Sequence, residues 1–81
     1  MDYLRVTVAI GLRDHTWIER VIEATANNLT DEYLFEQIKE FPESHLDSIL
    51  NFAVDRLQRN NGLDGLNISH FALLHWEIFE K

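Results

Sequence analysis

The chain of 81 residues contains no cysteine, one proline and three glycines. The absence of cysteine excludes disulfide bonds and thiolate metal sites. No apolar run is long enough to span a bilayer. The N-terminus also lacks the basic segment and following apolar run that begin a secretory signal. We therefore expect one domain, residues 1–81, in the cytoplasm.

Basic residues are also few, since seven of them stand against fourteen acidic residues and give a formal net charge of −7. Phosphate backbones repel a chain of this charge, so direct nucleic-acid binding is not expected. The apolar fraction of 46% includes two tryptophans, two tyrosines and five phenylalanines. That composition predicts a packed core and argues against intrinsic disorder.

Residues 3–12 alternate between apolar and other side chains, which is the pattern of a strand with one buried face. The residues expected on the buried face are Leu4, Val6, Val8, Ile10 and Leu12. Residues 13–28 are predicted to form the first helix, because Thr16 and Glu19 match a capping box and Asn27-Asn28 is a stop signal. Its apolar face would comprise Ile18, Val21, Ile22, Thr25 and Leu29.

Two more helices are predicted after this segment. Thr30 is the expected N-cap of the second helix, and Pro42 ends it because the residue before a proline disfavours helical geometry. Ser44 is the expected N-cap of the third helix, and Asn60-Asn61-Gly62 supplies residues that tolerate the left-handed conformation of a helix end. Helical spacing is clearest in the third helix, at Leu46, Ile49, Leu50, Ala53, Val54 and Leu57.

Residues 68–80 fit either a strand or a helix capped by Ser69. The N-terminal strand needs a hydrogen-bonding partner, and no other predicted segment can supply one. A strand is therefore favoured for residues 68–80. The predicted fold is therefore α+β with the order β-α-α-α-β: three helices packed on a two-stranded sheet formed by the N- and C-terminal segments. This sheet would keep two open edges and one exposed face.

Nothing in the sequence has the pattern of a catalytic or metal site. The segment 60–65 begins like a calcium loop, but Gly62 and Phe71 occupy positions that need ligands. The histidines, His15, His45, His70 and His75, lack the spacing of a zinc site. We expect no enzyme activity and no cofactor.

Residues 31–47 contain six acids and one base, Lys39. One interpretation is a solvated face that keeps the protein soluble. The other is a docking surface for a basic protein, since aromatic side chains accompany the acids. The residues predicted to bind a partner are Asp31, Glu32, Tyr33, Phe35, Glu36, Glu40 and Glu43.

The sequence thus favours a non-catalytic acidic protein-binding module that masks a basic, nucleic-acid-binding surface of its partner. In size and charge the chain resembles small acidic phage proteins directed at host nucleases or polymerases. The alternative is a structural or assembly protein that homodimerises through its strand edges or its exposed sheet face.

Overall fold

The computed structural model describes residues 1–80, and its strands form one antiparallel sheet in the order β2-β1-β3. Both helices pack on one face of this sheet and bury the core between them and the strands. The elements in chain order are β1 (Asp2–Leu12), β2 (Trp17–Thr25), α1 (Leu29–Glu40), a 3-10 turn (Pro42–Ser44), α2 (Leu46–Arg59) and β3 (Ile68–Glu80).

The strand β1 is the central strand of the sheet, and its apolar alternation correctly predicted which of its residues form the core. Its inner residues Leu4, Val6, Val8 and Ile10 are fully buried because a strand pairs on each side and the helices cover the inner face, whereas Leu12 at its end is partly buried. The core combines residues of β1, β2 and both helices: Leu4, Val6, Val8, Ile10, Ile22, Phe35, Ile38, Ile49, Phe52, Ala53 and Leu57.

The predicted helix over residues 13–28 is wrong, because this segment is a hairpin turn followed by β2. Of the two residues that matched a capping box, Thr16 closes the turn and Glu19 lies in β2 opposite Ala9. The N–H and the hydroxyl of Thr16 donate to Asp14 Oδ1 at 3.0 and 2.6 Å, and His15 takes the left-handed conformation with φ of 70°. The central strand has backbone groups on both sides that need partners. The strand β2 supplies those on one side, from Tyr3↔Thr25 to Gly11↔Trp17.

The predicted architecture of three helices on a two-stranded sheet is therefore corrected to two helices on a three-stranded sheet within residues 1–80. The predicted C-terminal strand is confirmed, since β3 pairs with β1 from Asp2↔Glu80 to Leu12↔Ile68. The pairing shifts between Thr7↔His75 and Val8↔Leu73, which leaves Leu74 as the extra residue of a β-bulge.

The second and third predicted helices are present as α1 and α2, but their first residues are capped differently. Asn28, and not Thr30, caps α1, because its Oδ1 accepts the N–H of Asp31 at 2.8 Å. Ser44 lies in the 3-10 turn, and His45 precedes α2 without a side-chain capping bond. Neither helix within residues 1–80 has the length and apolar character required to cross a membrane.

The end of α2 follows the sequence signal. Asn61 has φ of 58°, the left-handed conformation expected just after a helix. The N–H of Gly62 donates to the carbonyl of Leu57 at 2.8 Å, and the N–H of Asn61 donates to the carbonyl of Gln58 at 3.2 Å. This pair of bonds is a Schellman motif, which satisfies carbonyls that the last helical turn leaves open.

Candidate protein-binding surface

The helix α1 exposes a stripe that mixes acidic and apolar side chains. Positions 29, 33, 36 and 40 recur every three or four residues, so they share one side of the helix. That side faces solvent, because Phe35 and Ile38 are buried on the opposite side. Glu32 lies beside the stripe and Glu43 follows it in the 3-10 turn. We name this set the α1 surface: Leu29, Glu32, Tyr33, Glu36, Glu40 and Glu43.

The apolar members of the α1 surface are more exposed than a solvated helix face requires. Leu29 is 81% exposed and Tyr33 is 67% exposed, and Phe41, one residue beyond the helix, is 57% exposed. Single exposed apolar side chains are common and need no explanation, whereas contiguous exposed apolar patches mark interaction surfaces. Here they are interspersed with carboxylates along one helix.

Asp31 is placed differently from the other predicted site residues. Its Oδ2 accepts a hydrogen bond from Arg56 Nη2 at 2.7 Å and another from the N–H of Asn27 at 3.0 Å. The side chains of Asp31 and Arg56 are only 15% and 12% exposed. Asp31 therefore joins α1 to α2 and offers no free carboxylate to a partner.

Phe35 also lies outside the α1 surface. It is 3% exposed, and its ring meets that of Phe52 edge to face with centroids 5.6 Å apart. The side chain that the sequence placed beside the acids is a core residue that holds α1 against α2. The exposed aromatic groups of this region are Tyr33 and Phe41.

Lys39, the basic residue of α1, is already paired with carboxylates. Lys39 forms an ion pair with Asp2, and its Nζ lies 3.5 Å from Glu36 Oε1. The hydrogen bond to Asp2 is the main cause that raises the pKa of Lys39, and the charge of Glu36 adds to it. Within residues 1–80, Glu32, Glu40 and Glu43 form no ion pair. The α1 surface thus keeps a strong negative charge.

A groove of about 490 Å³ runs between α1 and α2 beside this surface. Tyr33 belongs to the α1 surface and also lines the groove, while Phe52 and Asp55 line it from α2. On the same side, a ring nitrogen of His45 lies 2.9 Å from the carbonyl oxygen of Phe41. The groove offers room for a side chain from a partner next to an exposed phenol ring.

The open face of the sheet holds an arrangement that sequence reasoning missed. Arg5 donates to Glu23 Oε2 of β2 at 2.9 and 3.1 Å and to Glu77 Oε1 of β3 at 2.6 Å. The hydrogen bond to Glu23 is the main cause that raises the pKa of Arg5, although partial desolvation opposes it. Because two acids engage this one base, the open face is not a basic patch. Strand register alone brings these residues together, so the sequence carried no local signal for them.

Comparisons with known proteins identify no relative: no family model matches the chain, and neither a curated protein nor a solved structure is significantly similar to it. Among residues 1–80, no three histidine or acidic side chains converge in a way that would hold a metal ion. The functional argument therefore rests on the physical character of the surfaces.

Proposed function

We propose that the protein is a non-catalytic binding module that docks its α1 surface on a basic surface of another protein and masks it. The observation that supports this proposal is the joint exposure of carboxylates and large apolar side chains on one side of α1. A face that only maintained solubility would not require Leu29 and Tyr33 to point into solvent.

The carboxylates of α1 form a regular row. Glu32, Glu36 and Glu40 follow one another at four-residue intervals, which is a rise of about 6 Å per interval. One strand of B-DNA carries a phosphate for each ~3.4 Å of its axis. Before the nearby charge of Lys39 is counted, the row therefore has a little over half the linear charge density of such a strand, which supports a basic nucleic-acid-binding groove as the target.

Because the row is less charged than a nucleic acid, apolar contacts must supply part of the affinity. Tyr33 can supply them, since aromatic side chains are frequent anchors at the centre of interfaces. The neighbouring groove between α1 and α2 can take a side chain of the partner. In this arrangement the acids direct association and orientation while Tyr33 and Leu29 limit dissociation.

The first experiment captures partners on the immobilised chain, identifies them by mass spectrometry and measures the affinity of each purified partner by calorimetry. The decisive comparison is between the wild type and the double variant Glu36→Lys/Glu40→Lys. The matched control, Glu19→Lys/Asp64→Lys, changes the net charge equally at exposed acids far from α1 in the sequence. Both variants are checked for native circular dichroism.

We expect the α1 double variant to abolish binding and the control to weaken it by no more than a few-fold. Affinity should fall steeply as salt rises, because screening removes the attraction between exposed charges. Duplex DNA should compete with the protein for the partner. Affinity that is insensitive to salt, or equal effects of the two variants, would refute the proposal.

A further inference from the structure

We infer that the outer edge of β3 pairs with the same edge of a second copy in antiparallel register and forms a symmetric dimer with one continuous sheet. This inference is independent of the α1 surface. It starts from the position of β3, a 13-residue strand that borders β1 on one side and no other strand of residues 1–80 on the other. Long edge strands are ready templates for pairing.

The first nine residues of β3 lack the charges that normally prevent such pairing. From Ile68 to Trp76 the strand has no acidic residue, no lysine, no arginine and no proline. Leu74, at the bulge, is 51% exposed. A bulge is one way to protect an edge, but here it also determines which self-pairing register keeps side chains on matching faces.

The bulge inverts the alternation of side chains along β3. His70 and Glu77 both lie on the open face, because they stand opposite Gly11 and Arg5 of β1. Phe71 and Trp76 both lie on the helix-covered face. A two-fold axis between Leu73 and Leu74 therefore places open-face residues opposite open-face residues on both sides of the axis.

This register is also chemically complementary. It sets His70 opposite Glu77 of the second copy and Phe71 opposite Trp76 of the second copy. Histidine opposite an acid and two aromatic rings opposite each other are favourable cross-strand pairs. At the axis Leu73 lies opposite Leu74 of the second copy, and this apolar contact replaces solvent.

The other edge of the sheet carries charges that oppose self-pairing in its most extended register. The strand β2 carries Glu19, Arg20 and Glu23 within nine residues and pairs with β1 without a bulge. Its fully overlapped self-pairing, centred on Val21, sets Glu19 opposite Glu23 of the second copy. A shift by one pair centres it on Arg20 and sets two guanidinium groups opposite each other. Like charges directly opposite destabilise both arrangements.

The test is sedimentation equilibrium of the full chain over a wide concentration range, with Leu74→Lys compared with Val21→Lys. Val21 is a suitable control because it is an aliphatic residue of the opposite edge strand and is 59% exposed. We expect the wild type and Val21→Lys to dimerise, and Leu74→Lys to raise the dissociation constant by about tenfold or more. A wild type that stays monomeric, or an equal effect of the two lysines, overturns the inference. Assembly beyond the dimer would also overturn it, since symmetric pairing of β3 closes after two copies.

A second measurement locates the contact. Since the chain has no cysteine, a single Leu74→Cys can be oxidised in air and compared with Val21→Cys. The disulfide-linked dimer should form faster with Leu74→Cys. Added salt should strengthen the dimer, because it screens the repulsion between two chains of charge −7. It should weaken docking through the α1 surface, so the two proposals can fail separately.

Discussion

Arg56 Nη2 of α2 donates a 2.7 Å hydrogen bond to Asp31 Oδ2 in the first turn of α1. The guanidinium of Arg56 also lies over the ring of Phe52, 4.6 Å from its centroid. Asp31, which the sequence predicted to bind a partner, therefore links the two helices. Its neighbour Glu32 remains exposed, so adjacent acids have different roles.

Replacement of Asp31 by alanine should destabilise the fold by about 1.5–3 kcal/mol, because the variant removes a hydrogen bond between charged groups and leaves Arg56 without its carboxylate. Glu32→Ala is the matched control, and its free energy of unfolding should stay within about 0.5 kcal/mol of the wild type. Urea denaturation followed by circular dichroism measures both. Similar losses for the two variants would contradict the assigned roles.

Phe35 and Tyr33 should respond in opposite ways to truncation. Phe35→Ala removes a buried ring that contacts Phe52, so we expect a loss of about 3–5 kcal/mol. Tyr33→Ala should leave stability within about 0.5 kcal/mol of the wild type and should weaken binding of the partner. Thermal unfolding and calorimetric titration separate the two effects. A stable Phe35→Ala protein would show that α1 is held by other contacts.

Gly11 is constrained by a histidine ring on the open face of the sheet. A Cβ atom at this position would lie 2.6 Å from Cε1 of His70, whose ring also meets Trp17 edge to face at 4.5 Å. Because the histidine is exposed and can move, Gly11→Ala should cost about 1 kcal/mol, the low end for an overpacked site.

A double-mutant cycle tests this explanation. In the His70→Ala background the ring is absent, so Gly11→Ala should lose most of its destabilising effect. The free energies of unfolding of the four proteins give the coupling directly. A penalty that is unchanged without the ring would place its origin in the backbone of β1.

The hairpin turn should make stability depend on pH through Asp14. The hydrogen bond from the Thr16 hydroxyl, followed by that from the Thr16 N–H, lowers the pKa of Asp14 below its usual value of 3.8. A lowered pKa in the folded state stabilises the fold above the pKa of the unfolded state, and this stabilisation is lost as pH falls through the folded value.

We therefore expect Asp14→Ala to be less stable than the wild type at neutral pH, and the difference to shrink as the solution is acidified below about pH 4. Urea unfolding of both proteins across this range measures the difference. Thr16→Val, which removes the hydroxyl donor, should show a smaller effect with the same direction. A difference that is constant with pH would exclude the charged form of Asp14 as its cause.

Sequence patterns predicted the elements whose periodicity has a single interpretation. Strict alternation identified β1, and the spacing from Leu46 to Leu57 identified α2 together with its Asn61 end. The segment 17–25 is different, since Ile18, Ile22 and Thr25 fit a helical stripe while Ile18, Ile22 and Ala24 fit one face of a strand. Its β-branched residues were a usable signal for a strand.

The candidate site was predictable only in part. The negative charge of the site and its location on α1 could be predicted, because acids cluster in residues 31–47 regardless of how the chain folds. The sequence could not predict which side chains reach solvent. Helical spacing does not distinguish Phe35 from Tyr33 until it is known which side of α1 packs on the rest of the protein. Arg56, the residue that engages Asp31, lies 25 positions away, and no local pattern connects the two.

By itself the sequence determined the negative charge, a central strand with one apolar face and the amphipathic helix α2, because composition and short-range periodicity depend only on neighbouring residues. Tertiary structure decided that residues 17–25 extend into a strand, that Asp31 and Phe35 turn inward, and that β3 ends the sheet. The physical reason is that backbone hydrogen bonds of a buried central strand must be satisfied on both sides. That requirement couples segments far apart in the chain. It also decides the structure of residues 17–25, whose local pattern fits the helical and the strand periodicity equally well.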